Sequence, residues 1–328
     1  MANGKILKMN YKLKKISGDA SFREFYRLKK NNKTSIIVSA KKDKYKNLIV
    51  YSVVNNILNS NKIRAPKLIG NHYKNSMIEI SDLGYKSFYD FIILKKNKMR
   101  DYKSLIKLIF KIQKIKLKKN YNLGKIKVKF SKYSIDNLHK ESDLFFDWYL
   151  KYSLKKKMTG KIKRLLRTEL NKVYKKLNFK NDIFVHRDFH ISNIMLSNNK
   201  LGVIDSQDAI IGNPLYDVAS LIDDVRIKLP QDLQNNLFKF YYKNSKYKKE
   251  KMKKLKNDFD ILSVQRNLKI LGIFVRLSKR DNKLNYLKYL PYTWLLVERR
   301  MKNPVFNKLN TLFKKYLPLK KLKKLQKI

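Results

Sequence analysis

Residues 183–208 read IFVHRDFHISNIMLSNNKLGVIDSQD and carry the side chains best suited to chemistry. An apolar run, Ile183-Phe184-Val185, delivers His186-Arg187-Asp188, and Asn193 follows five residues after Asp188. Ile194-Met195-Leu196 then meets a polar turn at Asn198-Asn199-Lys200, which leads into Leu201-Gly202-Val203-Ile204 and ends at Asp205. Two apolar runs around an Asn-rich turn predict a β-hairpin. The hairpin places Asn193 just before its first strand and Asp205 just after its second, so two oxygen donors share one end of a rigid element. Mg2+ takes hard oxygen ligands and is usually held by one or two protein groups plus substrate phosphates. Asp188, on the loop just ahead, is placed to accept or orient a hydroxyl proton.

An H-R-D-x-x-x-x-N loop followed by a strand-terminal Asp is the arrangement that protein kinases use for phosphoryl transfer. Taken singly, Asp188, Asn193 and Asp205 are ordinary turn and cap residues. Loop, spacing, hairpin and second Asp together point to a phosphotransferase. His186 and His190 also form an H-x₃-H pair that could be read as zinc ligands. The chain has no cysteine, and its other histidines, His72 and His139, are distant in sequence, so a closed zinc site lacks ligands.

These residues need elements to hold them. Around a turn at Ser17-Gly18-Asp19-Ala20-Ser21, alternating positions such as Phe25 and Arg27 predict strands. Backbone N–H groups of such a turn can approach phosphate oxygens closely. Thr34–Ala40 predicts a further strand; kinases carry a lysine at the end of such a strand, whereas this one ends in Ser39-Ala40 and Lys41-Lys42 come next. Residues 43–60 predict a helix that contains no Glu to pair with a lysine. Residues 67–70 and 76–80 predict two more strands, and Ser81-Asp82-Leu83-Gly84 the hinge to a helical portion. Glu79 to Leu83 would offer backbone groups to an adenine edge. Residues 142–153, with a Ser cap, 159–178 and 258–280 predict helices, the last with Arg266 and Asn267 interrupting an apolar face. The tail from Lys314 predicts a basic amphipathic helix. Asp217, at the start of a helix after Gly212-Asn213-Pro214, caps that helix or holds backbone N–H groups of the catalytic loop.

Length and composition bound the rest. A chain of 328 residues buries a sizeable core in one large or two modest domains, and 43% hydrophobic with 12% aromatic residues argues against global disorder. No apolar run approaches the ~18 residues of a membrane span. The N-terminus lacks a secretory apolar segment, so a soluble, cytoplasmic protein is expected. Lys and Arg number 78 against 25 acids, a net charge of +53. Spread through every segment, they predict nonspecific polyanion binding at low salt, with no nucleic-acid motif beside them.

His186 to Asn193, with Ile204-Asp205 and Tyr216-Asp217, resembles the aminoglycoside phosphotransferase/choline kinase superfamily. The stretches 18–28, 187–190, 205–209 and 265–272 look like the bacterial anomeric kinases of N-acetylmuramate and N-acetylglucosamine, which serve cell-wall recycling. Ser206 stands where those enzymes usually carry Phe. The resemblance implies an α+β, bilobal, protein-kinase-like fold. Its small β-rich N-lobe (residues 1–82) would bind nucleotide, and its larger helical C-lobe (83–328) would carry the catalytic loop, metal site and acceptor pocket. ATP would lie in the hinge cleft on Gly18, Asp19, Ala20, Ser21, Glu79, Ile80 and Leu83. Mg2+ would sit on Asn193 and Asp205, with Asp188 as base. His190, Gln207, Asp208 and Arg266 would face the sugar, and His186 and Asp217 would support the loop. Other small alcohols, an aminoglycoside or a choline-like acceptor, and a non-catalytic polyanion-binding role are the alternatives.

Overall fold

The computed structural model describes residues 11–16, 23–31, 33–42, 45–123, 126–154 and 159–323. In chain order the elements begin with β1 (Tyr11–Ile16), β2 (Glu24–Lys30), β3 (Lys33–Ser39), α1 (Lys46–Ser60), β4 (Leu68–His72), β5 (Met77–Ser81) and α2 (Phe88–Ile92). They continue with α3 (Met99–Gln113), β6 (Tyr121–Leu123), β7 (Ile126–Val128), α4 (Ile135–Leu144), a π-helical turn (Phe145–Leu150), α5 (Lys151–Ser153), α6 (Gly160–Tyr174) and β8 (Ile183–Val185). Then come β9 (Ile194–Ser197), β10 (Lys200–Val203), β11 (Ile210–Gly212), α7 (Tyr216–Ile222), α8 (Gln231–Asn244), α9 (Met252–Asp281), α10 (Leu290–Arg300), α11 (Asn307–Tyr316) and α12 (Leu319–Leu322). The class is α+β, with strands concentrated early and helices late.

The chain divides into two compact units: residues 1–91, 117–129 and 192–209 form one, and 92–116, 130–191 and 210–328 the other. The first holds an antiparallel sheet ordered β1-β2-β3-β5-β4. Strand alternation turns Ile36 and Val38 of β3 and Ile78 and Ile80 of β5 to one face, where Leu48 and Tyr51 of α1 cover them. The β9–β10 hairpin belongs to this unit and turns through Asn198 and Asn199, at φ 50° and 56°. Two consecutive positive φ values are what a tight two-residue hairpin turn demands, and Asn tolerates them better than most residues.

The second unit is built around α9, which packs on α4, the π turn, α7 and α10. A Cβ on Gly272 would lie 2.2 Å from the Leu144 carbonyl oxygen, so only glycine lets α9 approach the end of α4 this closely. The helix expected over 142–153 is one part of a longer element. Its N-cap is Ser134, which shares a capping box with Asn137, whereas buried Ser142 donates back to the His139 carbonyl at 3.2 Å as an interior helical residue. The basic tail is not one helix either. α11 ends at Tyr316 because Pro318 supplies no N–H and pushes Leu317 into the extended region, at φ −114° and ψ 134°. Among the described residues no helix is long and apolar enough to cross a membrane.

Candidate active site

In the second unit, β8 runs directly into the loop that carries Asp188. Arg187 adopts φ 73°, a left-handed conformation that costs a non-glycine residue free energy and persists only where surroundings enforce it. Two contacts enforce it. The Asp217 carboxylate, buried at the start of α7, accepts the backbone N–H of His186 at 2.8 Å and of Arg187 at 2.9 Å. Burial pushes the Asp217 carboxyl up to about 7 against those two donors. The Arg187 guanidinium reaches Glu141 of α4 through Nε at 3.0 Å and Nη2 at 2.5 Å.

Glu141 is the hub of a buried network. It also accepts Lys269 Nζ at 3.0 Å, Gln265 Nε2 at 2.9 Å and the Tyr216 hydroxyl at 3.2 Å. Burial alone would raise its carboxyl, but the Lys269 and Arg187 cations outweigh that and hold it down at about 2. Gly272 makes this possible, since the close approach of α9 brings Gln265 and Lys269 to α4.

Asp188 is half-buried beside buried Phe189, His190 and Ile191, its side chain 43% accessible. His190 Nε2 lies 3.4 Å from one carboxylate oxygen and Arg266 Nη2 3.9 Å from the other. Partial burial disfavours its charge, yet His190 and Arg266, with Arg226 farther away, hold its carboxyl well below the usual range. The loop is pinned downstream as well, where Ile191 N–H donates to buried Asp224 at 3.1 Å. His190 and Arg266 are only 3% and 5% exposed, and His190 Nδ1 and Arg266 Nη1 are buried without a hydrogen-bond partner. Thus Asp188, His190, Arg266, His186 and Asp217 stand together in one unit. Among the described residues no group of three or more His, Cys, Asp or Glu that could hold a metal ion is gathered.

In the first unit, Asn193 and Asp205 close the open end of the β9–β10 hairpin. Ile204 N–H donates to the Asn193 carbonyl at 3.0 Å, which ties the residue beside Asp205 to Asn193 itself. Asp205 has φ 62°, a second strained non-glycine position. Its Oδ1 accepts Arg23 Nη2 at 2.5 Å, and Arg23 Nη1 donates to Gln207 Oε1 at 2.6 Å. Gln207 in turn donates to Asp208 at 3.0 Å, and buried Ser206 donates to Asn55 of α1 at 2.7 Å. Glu79 and Ile80 lie within β5, opposite Ile37 and Ile36 of β3. Leu83, just beyond, is buried against Gly202, where an added Cβ would come within 2.8 Å of its Cδ1. The loop at 82–85 is clamped by Arg27, which meets Asp82 at 2.6 Å and the Gly84 carbonyl at 2.9 Å and stacks 3.7 Å over Tyr85. Gly18, Asp19, Ala20 and Ser21 lie outside the described residues.

Glu141, Asp224, Lys269, Arg23 and Arg27 are among the residues that sequence reasoning did not assign. Glu141 could have been found as an acid on a helix otherwise facing the core. Arg23 and Arg27 carried a fainter signal, two arginines inside a lysine-dominated basic stretch.

The sequence profile of the phosphotransferase enzyme family matches residues 12–252. A protein of Pseudomonas aeruginosa named N-acetylmuramate/N-acetylglucosamine kinase is 26% identical over 279 residues, covering 84% of this chain and 79% of that one. Among solved structures, an ethanolamine kinase from Plasmodium vivax superposes with a TM-score of 0.60 at 15% identity, covering 91% of this chain and 84% of that one. A thermostable mutant of an aminoglycoside phosphotransferase, in ternary complex with ADP and hygromycin B, gives a TM-score of 0.59 at 13% identity, covering 88% of this chain and 93% of that one.

Proposed function

This chain belongs to the phosphotransferase enzyme family, and from that premise we propose that it transfers the γ-phosphoryl group of ATP to the anomeric hydroxyl of an amino sugar, N-acetylmuramate or N-acetylglucosamine. The observation that carries the reading is the Asp188 carboxylate, accessible and held ionised on a loop that two buried acids, Asp217 and Asp224, fix through backbone N–H groups. An ionised carboxylate on a rigid loop is what a transferase needs to align an attacking hydroxyl and take its proton. The sugar O1 forms its bond to the γ-phosphorus, the bond to the bridging oxygen breaks, ADP leaves, and the O1 proton passes to Asp188.

Asn193 and Asp205 fit a magnesium ion. Both donors are oxygens, they share one hairpin end, and a set of one or two protein oxygens is what Mg2+ uses when phosphates complete its shell. When bound there, Mg2+ would offset phosphate charge. Arg266 supports an acceptor with an anionic or strongly accepting group, because its buried Nη1 has no partner and it lies 3.9 Å from Asp188. The lactyl carboxylate of N-acetylmuramate answers that description, and a polycationic aminoglycoside does not. The curated relative's name supports the same substrate class, and an anomeric sugar phosphate suits cell-wall sugar recycling.

The test is to incubate the protein with Mg-ATP and a panel of amino sugars, aminoglycosides and amino alcohols and to follow products by mass spectrometry. Phosphorylated N-acetylmuramate or N-acetylglucosamine with a blocked reducing end is expected. A product only on an amino alcohol or aminoglycoside, or phosphate at a hydroxyl other than O1, overturns the assignment.

A further inference from the structure

Phosphotransferases of the kinase type place a lysine at the end of the third strand to meet the nucleotide phosphates, and a glutamate on the following helix holds it. Neither partner stands in its usual place here. β3 ends at Ser39 and Ala40 follows, while Lys41 and Lys42 beyond it are exposed. α1 carries no Asp or Glu, and it turns Tyr51 and Asn55 inward. Asn55 accepts the Ser206 hydroxyl, a neutral bond where an acid would hold a cation.

A cation nevertheless stands at the hairpin end. Arg23 is 5% exposed, lies 5.5 Å from the ring centroids of both Phe25 and Tyr51, and spans Asp205 Oδ1 and Gln207 Oε1. Burying a guanidinium is costly unless it is paired, and one carboxylate together with one amide oxygen fixes its plane as well as its charge. Arg23 stands immediately ahead of β2. We propose that Arg23 takes the place of the strand-end lysine, meeting the phosphates of the nucleotide while Asp205 and Gln207 hold its plane. This rests on the phosphotransferase reading. An arginine suits the role because its planar fork keeps Asp205 and Gln207 while presenting charge to phosphate oxygens, which a lysine's single ammonium cannot do at once. It also accounts for Asp205 in a strained backbone conformation: the guanidinium aims the carboxylate.

The experiment is isothermal titration of the full chain with Mg-AMP-PNP and, separately, with adenosine, which lacks phosphates. Arg23→Gln keeps a polar side chain with N–H donors but removes the charge and shortens the reach. It is expected to weaken Mg-AMP-PNP by about 30-fold, the scale of a lost charge-assisted contact, while adenosine binds as to wild type. Arg23→Lys, which restores the charge, should recover all but about fivefold of the affinity. A purely structural role would weaken both ligands alike, and that result overturns the assignment, as does unchanged Mg-AMP-PNP affinity. Should Arg23→Gln not fold, the double variant Lys41→Ala/Lys42→Ala decides: affinity within about twofold of wild type supports Arg23, and a loss of about tenfold or more overturns it. A wild-type chain that binds Mg-AMP-PNP but phosphorylates no amino sugar removes the acceptor reading and leaves Arg23 standing. One that binds no nucleotide overturns both.

Discussion

Glu141→Gln isolates the charge at the centre of the loop-holding network. The substitution keeps the side chain's shape and leaves the Lys269 and Arg187 cations facing each other with no anion between them. Folded Glu141 titrates at about 2 against an ordinary 4.5, a gap that corresponds to about 3 kcal/mol of preference for the charged form. Removing the charge should therefore cost about 3 kcal/mol in urea unfolding at neutral pH, at the lower end of what breaking a buried ion pair costs. The pH dependence has a definite sign. A depressed carboxyl stabilises the fold above its unfolded value, so wild type loses this contribution as pH falls from 4.5 toward 2, and Glu141→Gln does not. Arg187 immediately precedes Asp188 and holds a strained φ, so kcat should fall by about tenfold as the loop loosens, with little change in KM for ATP. A variant within about 0.5 kcal/mol of wild type, or one with the same acid limb below 4.5, would refute the reasoning.

Asp188→Asn preserves size but cannot take a proton, so kcat should drop by about a thousandfold while Mg-AMP-PNP affinity stays within about twofold; titration calorimetry beside steady-state kinetics checks both halves. Asp217→Asn tests the other buried acid. Its carboxyl is raised to about 7 in the fold, so the protonated form's stabilisation is lost as pH rises from 3.8 through that value. The wild type should lose stability across that interval and the Asn variant should lose less, measured by chemical denaturation at pH 5 and pH 8. Gly272→Ala drives a methyl into the Leu144 carbonyl, 2.2 Å away, and should cost about 2 kcal/mol or more and disturb the Glu141 contacts. An alanine variant with unchanged melting temperature would show that the two helices separate freely.

The hairpin and its donors were legible because their causes are local. Asn198 and Asn199 supply the positive φ values of the turn, and the apolar runs on either side set the register, so Asn193 and Asp205 fall at one end by counting alone. Asp188 and Asp217 were legible for the same reason, each sitting beside a strand or helix boundary that the surrounding residues mark. The helix starting at Ser134 was misplaced because Ser142 offers the same composition as a cap without the geometry, and the π turn that follows shifts the helical face by a residue.

A single stretch of chain thus set where the candidate site residues fall, since loop, turn and strand ends are fixed by near neighbours. The tertiary structure decided which charges pair beside those residues. Arg23 meets Asp205 across 182 residues and Arg187 meets Glu141 across 46. In a chain with 78 Lys and Arg spread through every segment, little in the local sequence marks the few that are buried. Burial turns a solvated cation into one that must be paired, and burial belongs to packing between distant segments.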